Sequence, residues 1–459
     1  MGDKKLHVAM YPWFAMGHLI AFLHTCNKLA ERGHRISFFV PVQTLQKLQA
    51  FNLYPDRIAF IPIHVPHVDG LPPGTETTTD VPFPLHSLLM TAMDLTRPAV
   101  GQTLRELKPD FVFFDFTYWL PELLHELDMG IKSIHYCIIS PATIGYLSTP
   151  ERNPTEKLPT AADLMLPPPS FPSSSITLRT HEARGLVAVL LKEFGRGMTF
   201  MQRQFLSFSR CDAIAFKTCR EMEGPYSDYI ETQYKKPVIL AGSVVPETST
   251  TELDEKWAKW LEGFEAKSMI YCAFGSECIL KIDQFQELLL GFELTGLPFF
   301  AALKPPMGAE SIESALPEGF EERTRGRGVV YGGWVQQPLF LRHPSVGCFV
   351  THCGSGSLSE ALVNECQLVL LPNVGDQIIN ARMMGCDLKV GVEVEKGDLD
   401  GLFTKEGVAK AVEAVMEDGS EVAEEVRSNH AKWREFFSGK GLGNSYLDSF
   451  EQKLHKLLE

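Results

Sequence analysis

The sequence predicts an α/β protein made of two Rossmann-like halves that face each other across a cleft. Three observations carry this expectation. At 459 residues the chain is too long for one ordinary core. Apolar strand-like runs alternate with segments of helical periodicity, the mark of parallel sheets with crossover helices. The alternation occurs twice, in series of similar size separated by a polar, proline-containing stretch from 242 to 252.

In the first series, Leu6–Met10 reads as a strand and Tyr11–Gly17 as a loop. Leu19, Phe22, Leu23, Cys26, Leu29 and Ala30 then recur at helical spacing, Gly33 closes the helix, and His34–Val40 is the next strand. Ile58–Ile63, Phe111–Phe114, Ser133–Cys137, Cys211–Phe216 and Val238–Ala241 read as further strands. Residues 146–180 are rich in Pro, Ser and Thr and are expected to form a long loop over the sheet, where substrate-selecting residues tend to lie. The second series comprises Ser268–Phe274, Pro298–Leu303, Val346–Thr351, Leu368–Leu371 and Val390–Val394, followed by a helical tail. The expected boundaries are 1–241 for the first domain, 242–262 for a linker and first helix, 263–440 for the second domain, and 441–459 for a helix returning to the first.

Composition narrows the function classes. Hydrophobic residues make up 44% and charged residues 22%, as in an average globular protein. The formal charge of −14 argues against a nucleic-acid partner, which needs a basic footprint. No run of about 18 apolar residues predicts a membrane span, and no signal-peptide core follows Lys4 and Lys5. The ten cysteines are scattered without CxxC spacing, which points to a reducing, cytoplasmic compartment. The chain is read as a monomer.

The densest chemical signal runs from Trp334 to Gln377. Strand Val346–Thr351 leads into His352-Cys353-Gly354-Ser355-Gly356-Ser357, where a helix starts. Free backbone N–H groups and the helix dipole at such a turn favour a phosphate. Gly354 and Gly356 permit close approach, and His352 and Ser357 can donate to phosphate oxygens. Glu360 can accept from ribose hydroxyls, and Trp334 offers a flat surface for a base. Each feature alone has a bland reading, a common Gly-Ser turn or a core tryptophan; their recurrence together does not.

Gly17-His18 ends the first βα loop, and the dipole at a helix start favours a neutral imidazole able to accept a proton. Asp115 follows the strand Phe111–Phe114 and could hold one imidazole nitrogen, with Glu122 as a nearby competitor and a helix cap as the plain alternative. Tyr11, Trp13, Phe14, Phe116, Tyr118 and Trp119 lie near both in sequence; some are core, and part of the set can wall a pocket for a flat acceptor. Asp398-Leu399-Asp400 has the form of a metal-holding DxD but sits in a charged, glycine-containing loop that reads as a solvated turn. The His64 and His67 pair lacks further ligands for a metal.

The 44-residue stretch, WVQQPLFLRHPSVGCFVTHCGSGSLSEALVNECQLVLLPNVGDQ, resembles the signature of plant family-1 UDP-glycosyltransferases, which begins with Trp and ends in Asp/Glu-Gln. The resemblance extends over nearly the whole chain and implies the GT-B fold, two facing Rossmann-like domains. It implies that Trp334 stacks on uracil, that Val335 and Gln337 belong to the uridine site, and that His352, Ser357 and Ser276 contact the diphosphate. It further implies that Glu360 binds ribose and that Asp376 and Gln377 bind the transferred sugar. His18 becomes the general base, Asp115 its partner, and Trp13, Phe14, Gly17, Phe116 and Trp119 the acceptor site. A UDP-sugar is then a co-substrate, no cofactor or metal is expected, and one displacement inverts the anomeric centre.

Two departures stand out. Ser355-Gly356 replaces the family's usual Trp-Asn, removing a phosphate donor and reshaping the space beside the sugar, and Gln336 replaces a frequent proline. DFTYWLPEL (Asp115–Leu123), YCAFGSECIL (Tyr271–Leu280) and the turn from His352 to Pro372 resemble the branch that extends flavonoid or anthocyanin glycosides by a second sugar. An aglycone or terpenoid-glycoside acceptor remains an alternative. So does a catalytically silent nucleotide-sugar-binding protein, against which both His18 and Asp115 argue. A nicotinamide oxidoreductase would need a phosphate fingerprint after the first strand, and Pro12–Gly17 is not one.

Overall fold

A computed structural model describes residues 5–242, 252–275, 278–439 and 441–459. Thirteen strands form two sheets in it. The first contains β1 (His7–Tyr11), β2 (Arg35–Pro41), β3 (Ile58–Ile63), β4 (Phe111–Phe114), β5 (Lys132–Cys137), β6 (Ala213–Phe216) and β7 (Val238–Leu240). The second contains β8 (Met269–Ala273), β9 (Phe299–Ala302), β10 (Gly328–Tyr331), β11 (Val346–Thr351), β12 (Gln367–Leu370) and β13 (Gly391–Glu393).

Both sheets are parallel, in the orders β3-β2-β1-β4-β5-β6-β7 and β10-β9-β8-β11-β12-β13. Their strands are near-continuous apolar runs because helices cover both faces; all four residues of β4 are buried. In the first sheet, Ala9, Tyr11, Val112 and Phe114 pack into one core, while Val8, Met10, Phe111 and Phe113 pack into another on the opposite face. The helix Met16–Glu31 buries Leu19, Phe22, Leu23, Cys26, Leu29 and Ala30, the residues its spacing singled out. Gly33, at φ +92°, turns the chain into β2.

Strand order reverses between β1 and β4 in one sheet and between β8 and β11 in the other. Ligands of open α/β sheets bind at the carboxyl ends of strands at such switch points. Tyr11 pairs with Phe114 at the first and Ala273 with Thr351 at the second, so the loops that follow them lie side by side.

Three features differ from the sequence expectation. Strand β10 gave no signal, since it is a half-buried edge strand of four residues flanked by glycines and arginines. The 146–180 stretch contains a short helix, Ala161–Met165, capped by the side chain of Thr160. It is also anchored: Phe171 packs against Tyr146, Tyr226 and Tyr229, and Ser173 donates to Asp387 of the second half at 2.9 Å.

The final helix, Leu442–Leu457, runs back along the first half. Phe450 and Leu454 join the core of Val8, Phe22 and Phe113, and Lys453 donates to the carbonyl of Val238 at 3.2 Å. No helix among the described residues is long and apolar enough to cross a membrane.

Candidate active site

The carboxyl ends of β1 and β4 bring His18 and Asp115 together across 97 residues of sequence. His18 lies in the first turn of Met16–Glu31, a helix without a side-chain cap. Its Nδ1 is 2.6 Å from Asp115 Oδ2, with side chains 20% and 5% exposed. Asp115 Oδ1 accepts the backbone N–H groups of Trp13 and Phe116, both at 2.7 Å. An ionised carboxylate only accepts, so Nδ1 carries the hydrogen and Nε2 is left with its lone pair. That arrangement suits a general base. Glu122 is not a competitor, because it is exposed and lies 3.4 Å from Arg210 on the surface.

Aromatic rings wall this side. The Phe116 ring lies 5.2 Å from the His18 ring and 6.0 Å from Trp13. Phe194 and Phe200, which the sequence did not single out, complete the wall at 5.7 Å from Trp13 and 5.4 Å from Phe116. Gly17 has open space beside it. Phe14 is fully buried against Tyr11, and Trp119 is buried with its Nε1–H donating to Asp94 at 2.8 Å, so both back the wall from inside the core. Asp94 also holds Arg203 at 2.6 Å in a wholly buried pair. Arg203 donates in turn to the carbonyls of Phe194 and Phe116, which fixes the wall from behind.

The second half supplies the turn after β11. Cys353 adopts φ +67°, and Gly354 precedes the helix Ser355–Leu362, again without a side-chain cap. A Cβ on Gly354 would meet His352 Nε2 at 2.7 Å, so this position needs glycine; Gly356 faces open space. Burial pushes the His352 imidazole down to about 4, keeping it neutral. Gln337 Nε2 donates to Glu360 Oε2 at 2.7 Å and to Ser357 Oγ at 3.2 Å, which gathers three of the expected nucleotide residues. Val335 is buried beside them, while Trp334 is 83% exposed and presents an open ring face. Ser276 lies outside the described residues, although its neighbour Gly275 is close to the His352 ring.

Asp376 opens a helix across the cleft from His18, and burial raises its carboxyl to about 6. Asn380 donates to Asp376 Oδ2 at 3.2 Å, and Gln377 Oε1 accepts from the backbone of Asn373 and Val374. Asp398 is engaged with Thr180, whose hydroxyl donates to it at 2.8 Å, so this acid of the DxD ties the two halves together.

Sheets whose switch points open into one cleft are the GT-B architecture of glycosyltransferases. Likenesses to solved structures agree: apo UGT2 of Phytolacca americana has a TM-score of 0.78 at 20% identity, covering 99% of this chain and 100% of that one. A UDP-glucosyltransferase of Polygonum tinctorium has a TM-score of 0.78 at 21% identity, covering 100% and 99%. Residues 315–427 match the family UDP-glucoronosyl and UDP-glucosyl transferase. The chain is 64% identical over 458 residues to cyanidin 3-O-galactoside 2''-O-xylosyltransferase of Actinidia chinensis var. chinensis, covering 100% of both. It is 58% identical over 452 residues to anthocyanidin 3-O-glucoside 2''-O-glucosyltransferase of Ipomoea nil, covering 98% of both. The chain belongs to the plant UDP-glycosyltransferase family and is an enzyme of that family.

Proposed function

We propose that the enzyme transfers a sugar from a UDP-sugar to a hydroxyl of the sugar already present on a flavonoid or anthocyanin 3-O-glycoside. The observation that carries the reading is the His18–Asp115 pair, with Nε2 unengaged among the described residues, opposite Asp376 on the other wall. His18 takes the acceptor proton as the hydroxyl oxygen attacks the anomeric carbon, and Asp115 stabilises the imidazolium. The bond to the diphosphate breaks in the same displacement, so the anomeric centre inverts. Residues 1–241 hold the acceptor and 263–440 the donor, with 441–459 returning to the first half. Trp334, Val335, Gln337 and Glu360 take the uridine; His352, Gly354, Gly356, Ser357 and Ser276 take the diphosphate; Asp376 and Gln377 take the sugar. UDP leaves with its charge stabilised by the helix terminus and neutral donors, without a metal.

The acceptor assignment draws on two whole-length relatives whose names specify 2''-O transfer to anthocyanin glycosides. A cytoplasmic monomer fits the reading. The test is a matrix of UDP-glucose, UDP-galactose, UDP-xylose and UDP-rhamnose against a flavonoid aglycone and its 3-O-glycosides, with products identified by mass spectrometry. The expected product carries a sugar–sugar bond and forms equally in EDTA. Higher kcat/KM on the aglycone would overturn the acceptor class, and restoration of chelated enzyme by Mn²⁺ would overturn the metal-free route.

A further inference from the structure

Arg203 is 0% exposed, and each of its five N–H groups has an acceptor. Two go to the carboxylate oxygens of Asp94, at 2.9 and 2.6 Å. The other three go to backbone carbonyls: Phe194 at 3.0 Å, Gly195 at 3.2 Å and Phe116 at 3.3 Å. A planar guanidinium fork can hold three segments at once in this way, and an ammonium with three donors cannot. Asp94 Oδ1 also accepts from Trp119 Nε1, so the carboxylate is fixed in its turn. Replacing a buried ion pair by apolar side chains is often neutral or stabilising, so stability alone does not account for these bonds.

The three carbonyls belong to the two segments that form the aromatic wall beside His18. Residues 192–200 make a small hairpin with bonds of its own, Phe194 N–H to Met198 O at 2.7 Å and Phe200 N–H to Lys192 O at 3.0 Å. The hairpin carries the rings of Phe194 and Phe200, which pack 5.2 Å apart, and Arg203 ties it to Asp94 and Phe116. Gly195 permits the approach: at φ +94°, a Cβ there would lie 2.9 Å from both Arg203 Nη2 and Met90. Phe116 is held from both sides, its carbonyl by Arg203 and its N–H by Asp115 Oδ1 at 2.7 Å, with its ring 5.2 Å from the His18 ring.

We propose that Arg203, braced by Asp94, is a positioning residue for the acceptor. It sets the distance between the Phe116 side of the wall and the Phe194–Phe200 side, and so decides how the flat part of a flavonoid or anthocyanin glycoside presents its sugar hydroxyl to His18. None of its five bonds reaches His18, Asp115 or the nucleotide residues, so it acts only through the wall. This rests on the acceptor reading above.

Three variants test it. Arg203→Met removes all five bonds, Arg203→Lys keeps the charge with fewer donors, and Gly195→Ala leaves the buried pair in place while pushing the hairpin off it. KM for a flavonoid 3-O-glucoside and KM for the parent's best UDP-sugar are read separately, with the linkage of each product. KM does not depend on the fraction of enzyme folded, so a loss of stability alone leaves it unmoved. The expected result is an acceptor KM raised about tenfold or more in Arg203→Met and Gly195→Ala, less in Arg203→Lys, a UDP-sugar KM within about twofold of the parent, and a second linkage isomer among the products. Equal rises in both KM values, or a lower kcat with both unchanged, would overturn the proposal. If Arg203→Met does not fold, Gly195→Ala decides alone, and an unmoved acceptor KM there, or its own failure to fold, overturns the proposal too. A parent enzyme that transfers sugar to no flavonoid glycoside would instead remove the acceptor reading, an outcome distinct from these.

Discussion

Asp115 spends one carboxylate oxygen on two backbone N–H groups and the other on His18, and this division makes the pair sensitive to a single atom. In Asp115→Asn, the remaining oxygen must still accept from Trp13 and Phe116. The amide N–H₂ then faces Nδ1, which must give up its hydrogen to accept. The proton moves to Nε2, and the base is lost without loss of packing. Turnover should fall about 10⁴-fold, as far as or further than in His18→Ala, where loss of a general base costs about 10²–10⁴. UDP affinity should stay unchanged in both, since the nucleotide residues lie on the other half. Near-normal kcat in either variant would remove His18 as the base.

Trp334 separates binding from stability. At 83% exposure its ring contributes little to the core, yet an open aromatic face is a platform for a base. Trp334→Ala should leave the thermal midpoint unchanged and raise the Kd for UDP by about 5- to 150-fold, from a stacking contribution of about 1–3 kcal/mol. A lower midpoint with unaltered Kd would mean that the ring serves packing.

The two glycines of the turn should behave oppositely. Gly354→Ala forces a Cβ to 2.7 Å from His352 Nε2, so the turn must shift, and both stability and UDP affinity should drop. Gly356 lies in open space inside the first turn of its helix, where alanine is the better helix former by about 0.5–1 kcal/mol. Gly356→Ala should therefore melt slightly later when empty but bind UDP more weakly, because the methyl group enters the phosphate space. Calorimetry with and without UDP checks both.

How much of this was legible beforehand follows from where the chemistry sits. His18, Asp115 and the His352–Ser357 turn each follow an apolar strand, so a strand reading alone places them at carboxyl ends, and parallel topology does the rest. Arg203 gave no such sign: it lies in the helix Phe200–Arg210, and its partner Asp94 is 109 residues away. Phe194 and Phe200 reach the wall through a small turn closed by Phe194 N–H to Met198 O at 2.7 Å, which apolar periodicity does not reveal.

Asp376 should impose an acid limit on donor use. Its carboxyl titrates at about 6 in the folded enzyme against an ordinary 3.8, chiefly because burial disfavours the charge. Below pH 6 it is protonated and loses acceptor capacity toward a sugar hydroxyl, so kcat/KM for the UDP-sugar should fall there. The stability effect has the opposite sign. Between 3.8 and 6 the folded state binds the proton more tightly than the unfolded state, so this group's contribution declines as pH rises and is least favourable above 6. Asp376→Asn should thus be a poorer enzyme at every pH, lack the acid limb near 6, and be more stable than the parent at pH 7.5. That stability gain should vanish toward pH 4, which denaturant melts at the two pH values would show.

Arg382 holds the halves together from the far end of the helix that Asp376 begins. Its Nη2 donates to both oxygens of Glu182, 200 residues away, at 2.7 and 2.8 Å, with side chains only 7% and 3% exposed. Its Nη1 donates to Glu393, and Arg179 reaches both glutamates, at 3.3 Å to Glu182 and 2.9 Å to Glu393. The two deletions are therefore unequal. Glu182→Gln keeps an acceptor for Arg382 and leaves two arginines with Glu393. Arg382→Met leaves the buried Glu182 and the part-buried Glu393 with Arg179 as their remaining ion-pair partner and Lys396 as the other nearby cation, and stripping one partner from a buried pair costs about 3–5 kcal/mol. Arg382→Met should consequently lower the melting midpoint more than Glu182→Gln, and their double variant should recover part of the loss. Because Arg382 and Asp376 share one short helix, the loss should appear in the KM for UDP-sugar before that for the acceptor. Additive midpoints with no shift in donor KM would show that the pair neither couples the halves nor steadies the sugar site.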